Sequence, residues 1–243
     1  TYMFIGTSEA AAEVRHLLSV YARTEEPVLI TGETGTGKEV TARLIHQIAA
    51  YRKPFLAMNC SSLTAHLSES ILFGHVKGAF TDAYKDSRGF FETAGEGTLF
   101  LDEIGNLDTS VQPKLLRALE NRGFYRVGET KERTLSARVI AAAQDDLYQK
   151  MRDGTFRQDL YYRISTLHIP IPPLRDRKED IYPLVQYIMR PYPYMELDPK
   201  VLDLFRTYSW PGNVREMINV LTRIRILHPP GSSTGPVTAA QAE

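Results

Sequence analysis

The sequence predicts an α/β protein: a mainly parallel sheet with helices on both faces, followed by a small helical appendage. Three observations carry this. Short apolar runs alternate with segments of helical periodicity as far as about residue 171. The run Val28, Leu29, Ile30 passes directly into the spacing G-x-x-x-x-G-K at Gly32 to Lys38, and an apolar helical face begins straight after it with Val40, Leu44 and Ile45. From Pro172 strand signals stop, and helical patterns separated by proline-rich breaks take over.

Taken in order, residues 9–21 read as a helix, 28–30 as the first strand and 38–49 as the helix that follows the glycine-rich loop. Phe55 to Asn59 is a short strand, Gly97 to Leu101 another, Gln112 to Asn121 a helix, Arg138 to Ala143 a buried-type strand, and His168 to Pro170 the last. Beyond Pro172, residues 179–189, 199–208 and 213–228 read as helices. The expected organisation is therefore an α/β unit over 1–171, a helical unit over 172–228 and a Gly- and Ser-rich linker or tail over 229–243.

The loop Gly32, Glu33, Thr34, Gly35, Thr36, Gly37, Lys38 is built for an anion. Its glycines allow successive backbone N–H groups to face one point, and Lys38 adds a charge that reaches the outer phosphates of a nucleotide. Glu39 stands where a Ser or Thr ordinarily meets magnesium, which shifts that task toward Asp102, water and the phosphates. The strand GTLFLDE ends in Asp102 and Glu103. Asp102 suits Mg2+, and Glu103 is then placed to polarise water, the two requirements of ATP hydrolysis. An Asp-Glu pair at a strand end is also what a polar helix start looks like, and Lys38 upstream decides between the two readings.

Composition excludes several classes. Lysine plus arginine equals aspartate plus glutamate at 29 each, so no global basic field argues for DNA binding by this segment. No apolar run approaches membrane-spanning length. The lone Cys60 cannot form an intramolecular disulfide, which fits a reducing cytoplasm or simply an arbitrary domain. The chain opens on Thr1 with domain-like sequence already at Phe4, Ile5 and Gly6, so an excised module is expected.

Between the two nucleotide strands lies GHVKGAFTDA, residues 74–83. Phe80, flanked by Gly78, Ala79, Thr81, Asp82 and Ala83, has little local apolar company, which favours a partner-contacting loop over a buried turn. With GETGTGKE, ESILFGHVKGAFTDA, TLFLDEIGNL, GTFRQDLYYRI, PPLRDRKEDI and WPGNVRE, the chain from Phe4 to about His228 closely resembles the central AAA+ domain of bacterial enhancer-binding proteins, the activators of sigma-54 RNA polymerase.

That resemblance implies a P-loop AAA+ ATPase fold with a C-terminal helical lid, a homo-oligomeric ring, usually a hexamer, and ATP with Mg2+ at each subunit boundary. It implies that residues 78–83 touch the sigma-54 RNA polymerase holoenzyme, and that Arg157 and Arg163 act in trans on a neighbour's nucleotide. Arg215 would sense nucleotide in cis, and Asn59 would restrain Glu103. Enhancer DNA would be bound through a domain beyond this segment. Two positions depart from the family pattern: Asp82 replaces the usual glycine of the loop, and Ala143-Gln144 replaces Thr-Asn at the first sensor. An amide at Gln144 can still bond water or phosphate, whereas Ala143 cannot replace a hydroxyl. The alternative is a related AAA+ regulator that handles ATP without activating sigma-54, because Asp82 blocks the contact.

Overall fold

The computed structural model describes residues 2–50, 52–62, 65–144, 147–192 and 197–227. The first helix, α1 (Glu9–Tyr21), leads into β1 (Val28–Thr31), α2 (Lys38–Ala50) and β2 (Phe55–Asn59). Then come α3 (Ala65–Phe73), the short strands β3 (Gly74–His75) and β4 (Ser87–Arg88), α4 (Phe90–Thr93), β5 (Thr98–Asp102) and α5 (Gln112–Asn121). A second small hairpin, β6 (Gly123–Phe124) with β7 (Arg133–Thr134), precedes β8 (Arg138–Ala143), α6 (Leu147–Arg152), α7 (Gln158–Ile164) and β9 (Leu167–Pro170). Helices α8 (Ile181–Met189), α9 (Pro199–Thr207) and α10 (Asn213–Leu227) complete the described chain.

Five strands form one parallel sheet in the order β2-β5-β8-β1-β9. A parallel sheet is covered on both faces, which is why β1, β5 and β8 are nearly continuous apolar runs rather than alternating ones. The strand period of two sorts their side chains. Leu29, Leu99, Leu101, Val139 and Ala141 pack with Phe91, Leu115, Leu119 and Leu160 on one face. Val28, Ile30, Phe100, Ile140 and Ala142 pack with Val14, Leu18, Ala42 and Ile45 on the other.

The helical appendage, hereafter the lid, has a core of its own around Trp210, with Leu174, Ile181, Leu184, Phe205, Met217 and Leu221. Trp210 is fully buried, and its Nε1 donates to the carbonyl of Phe205 at 2.7 Å, so the indole is both packed and satisfied. Helix α9 starts where sequence says it should. Asp198 accepts from the Lys200 amide at 2.8 Å and Pro199 takes the first helical position, where its missing N–H costs nothing. Asp180 is one pin between lid and sheet domain, accepting from the amides of Thr7 and Ser8 at 2.7 Å each and from the Ser8 hydroxyl at 2.9 Å.

The predicted strands and long helices fall within a residue or two of their observed limits. The structure adds α3, α4, α6, α7 and both small hairpins. The expected linker 229–243 and the last residue of the predicted final helix, His228, lie outside the described residues. Among the described residues no helix is long and apolar enough to cross a membrane. Cys60 is free and buried, and burial together with the nearby Asp102 and Glu103 charges pushes its thiol up to about 12, so it is no nucleophile.

Candidate functional site

The residues from Gly32 to Gly37 turn between β1 and α2, and the turn is held from two directions. From inside, Lys38 Nζ donates to the carbonyls of Gly32 at 2.7 Å and Glu33 at 3.1 Å. From the lid, Asn213 Nδ2 donates to the Thr34 carbonyl at 3.0 Å, the Val214 amide to Gly35 at 3.1 Å and Arg177 to Thr36 at 3.1 Å. A trans peptide points its N–H opposite its C=O, so the amides of Gly35 and Gly37 face away from these lid donors. Gly35 is obligatory: its φ is +80° and a Cβ there would lie 2.2 Å from the Gly212 carbonyl.

Beside this loop opens a cavity of about 380 Å³. Its apolar wall comes from Phe4 and Ile5 together with lid residues Leu184, Tyr187, Ile188 and Ile218. Its polar side brings together Thr34, Gly35, Thr36, Gly37, Lys38, Glu39, Asp102, Glu103, Gln144 and Arg215, most of the sequence-predicted nucleotide residues. A second cavity of about 240 Å³ continues past Glu103 and Gln144 to Gly105, Asn106 and Ala143. An apolar slot ending in a cationic, N–H-lined turn with a carboxylate opposite matches a base, a polyphosphate and a metal in that order. Among the described residues no three His, Cys, Asp or Glu side chains cluster as an all-protein metal cage. A single carboxylate suits Mg2+, which keeps waters and takes phosphate oxygens as its other ligands.

Asp102 ends β5 half-buried, and burial raises its carboxyl above the usual aspartate range against the opposing pull of the Glu103 amide and Lys38. Glu103 N donates to Asp102 Oδ1 at 2.9 Å. Glu103 itself has φ +52°, a left-handed backbone rare for glutamate, of the kind that collects at functional sites. The Ser61 hydroxyl donates to its carboxylate, Asn59 Oδ1 accepts from the Ser61 amide at 2.8 Å, and Asn106 Nδ2 donates to Ser61 Oγ at 2.7 Å. Lys150 Nζ closes the chain on Asn106 Oδ1 at 2.8 Å. Asn59 thus reaches Glu103 by way of Ser61. Sequence reading named Asn59 and missed Ser61, Asn106 and Lys150, which carry no periodic or spacing signal.

At the sensor position the Thr34 hydroxyl donates to Gln144 Oε1, so the longer amide is already engaged with the phosphate loop. Glu39 lines the cavity while pairing with Arg43 at 2.8 Å. Arg157 and Arg163 lie apart from both cavities. Arg157 pairs with Asp159 at 2.6 Å on an exposed surface, and Arg163 donates to the Leu119 carbonyl at 2.9 Å. Neither reaches the chain's own phosphate loop.

The segment Gly78 to Ala83 closes the β3–β4 hairpin, with Gly78 N donating to Ala83 O at 2.8 Å and Ala83 N to Phe80 O at 3.0 Å. Ala83 is buried and Phe80 is 39% exposed, its ring edge-on to His75 with centroids 4.9 Å apart. The hairpin is steadied by its neighbour: Val76 N donates to the Val127 carbonyl at 3.1 Å, and Val127 N donates to the Gly74 carbonyl at 2.9 Å. Among the described residues non-glycine left-handed backbone occurs at Glu103, Arg122, Trp210 and Asn213, and not at Asp82. Asp82 needs no left-handed backbone, so its side chain and charge, not backbone strain, are the difference from glycine.

Fold and site together define a P-loop nucleoside triphosphatase domain of the AAA+ type with a helical lid. Residues 4–170 match the family described as Sigma-54 interaction domain, and residues 175–236 match the AAA+ ATPase lid domain. The chain belongs to the sigma-54 interaction domain family. It is 44% identical over 214 residues to Regulatory protein AtoC of Escherichia coli (strain K12), covering 85% of this chain and 46% of AtoC. It is 45% identical over 227 residues to the DNA-binding transcriptional activator HyfR of the same strain, covering 90% of this chain and 34% of HyfR. NtrX from Brucella abortus, solved in complex with ATP, superimposes with a TM-score of 0.89 at 32% identity, covering 98% of this chain and 54% of that one. The chain spans between about a third and a half of the length of these relatives.

Proposed function

We propose that this chain is an ATP-hydrolysing domain that remodels the sigma-54 RNA polymerase holoenzyme to open promoters, working in the cytoplasm as a homo-oligomeric ring, a hexamer by family likeness. The observation that carries the ATPase reading is the convergence of Lys38, Asp102, Glu103, Gln144 and Arg215 on one cavity beside a phosphate nest. The ATP complex of NtrX supports the choice of nucleotide. Lys38 and the loop amides bind the phosphates, and Arg215 senses them from the lid. Bound Mg2+, held by Asp102, would supply charge neutralisation at the phosphates. Glu103 orients and takes a proton from water, and Ser61 with Asn59 restrains it until nucleotide is seated.

Arg157 and Arg163 serve a neighbouring subunit, a reading supported by their distance from this chain's own cavities and by the residue-by-residue likeness to the family. Glycine, alanine and threonine around Phe80 let residues 78–83 approach the sigma factor closely, with Phe80 as anchor. Enhancer DNA is bound through a domain outside this segment, in keeping with HyfR being a DNA-binding transcriptional activator.

Nucleotide titration with parallel turnover tests the core of this reading. Lys38→Ala is expected to weaken ATP binding, whereas Glu103→Ala keeps affinity and stops hydrolysis. Equal loss of affinity in both variants would contradict the division of roles.

A further inference from the structure

The lid grips four consecutive residues of the phosphate loop. At Thr34, Gly35 and Thr36 it takes backbone carbonyls. At Glu33 it takes a carboxylate. Arg175 Nη2 lies 2.6 Å from Glu33 Oε1 and Nη1 2.8 Å from Oε2, a two-pronged pair, and Asn213 Nδ2 donates to Oε2 at 3.2 Å. Asn213 is itself fixed, fully buried, with its Oδ1 accepting from the Leu174 amide at 2.7 Å.

A carboxylate at this position is a hazard for the proposed chemistry. It sits within a turn whose N–H groups and lysine attract anions, and its own charge opposes a polyphosphate. Released from the lid, its flexible side chain could fold back onto the nest as an internal anion. A guanidinium fork matches a carboxylate in plane and in charge, so it both aims Glu33 and neutralises it.

Resting on the ATP reading above, we propose that Arg175 is a positioning residue for nucleotide: it turns Glu33 toward the lid and cancels its charge, leaving Lys38 and the loop amides to the phosphates. Arg175 touches no reacting group. Its removal therefore acts on binding more than on chemistry, and the damage comes from Glu33 rather than from a lost lid contact.

The test is equilibrium titration of the full chain with ATP and Mg2+, with KM and kcat measured alongside. Arg175→Ala is expected to weaken ATP about tenfold, the scale of one uncancelled charge near phosphates in a partly solvated site, and to raise KM while kcat stays within about twofold. Arg175→Lys, which returns charge without the fork, recovers most of the affinity. The double variant Glu33→Gln with Arg175→Ala also recovers, since the offending charge is gone. A double variant as weak as Arg175→Ala, or native affinity in Arg175→Ala, would overturn the proposal while leaving the ATP reading intact. An unmodified chain that binds no ATP would overturn both, and does so before any substitution is compared. If Arg175→Ala fails to fold, the lysine and double variants decide: weak binding by a folded double variant overturns the proposal.

Discussion

At the scale of single residues, the site is made of charges that need their neighbours. Glu33 is the clearest: hydrogen bonds from Arg175 and then Asn213 hold its carboxyl at about 2, below the ordinary 4.5. A depressed carboxyl adds stability that is complete above the unfolded value and is lost as pH falls through the folded one, so this contribution should fade between pH 4.5 and about 2. Both partners are about two-fifths exposed, so solvent screening limits it to about 1 kcal/mol or less. Urea melts at pH 5 and pH 3 should therefore differ slightly more for the native chain than for Glu33→Gln, and an identical pH response would count against the pair. Ser61 is the residue through which Asn59 reaches Glu103. Ser61→Ala should leave ATP affinity within about twofold but alter basal turnover, because it removes only the restraint on Glu103, the carboxylate proposed to activate water. Unchanged turnover would make Ser61 a bystander.

At the scale of elements, the lid and the Phe80 hairpin are separable parts. Trp210→Ala should destabilise the lid by about 3–5 kcal/mol, the usual cost of deleting a buried large aromatic, and calorimetry should register it as a lowered or split transition. Asp82→Gly should preserve or raise promoter opening, because it removes a charge from a hairpin tip that already has ordinary backbone there; a sharp loss would mean that Asp82 makes a contact the partner needs. Much of this level was legible in the sequence. Strands β1, β5 and β8 announced themselves as continuous apolar runs, and the phosphate loop by spacing, because local pattern and burial agree there. The two-residue strands of the hairpins left no period to detect, and α6 and α7 are only six and seven residues long. The network from Asn59 through Ser61 to Asn106 joins residues more than 40 apart, and the lid's grip on Glu33 spans 142, so neither has a local signature.

At the scale of the whole molecule, two surfaces lie outside the cavity beside the phosphate loop: the ends of α7, with Arg157 just before the helix and Arg163 in its last turn, and the tip of the β3–β4 hairpin. If Arg157 and Arg163 act across a subunit boundary, turnover per subunit should rise with protein concentration. Mixing Arg163→Ala with Glu103→Ala subunits should then restore part of the activity at composite sites, whereas concentration-independent turnover by a monomer would defeat the trans arrangement. The central claim is that hydrolysis in the cavity does its work through Phe80. Promoter opening by the sigma-54 holoenzyme, with ATP turnover followed in the same reaction, tests it most directly. Phe80→Ala should abolish opening and leave hydrolysis near the native rate, and opening that persists without the aromatic ring would contradict the account.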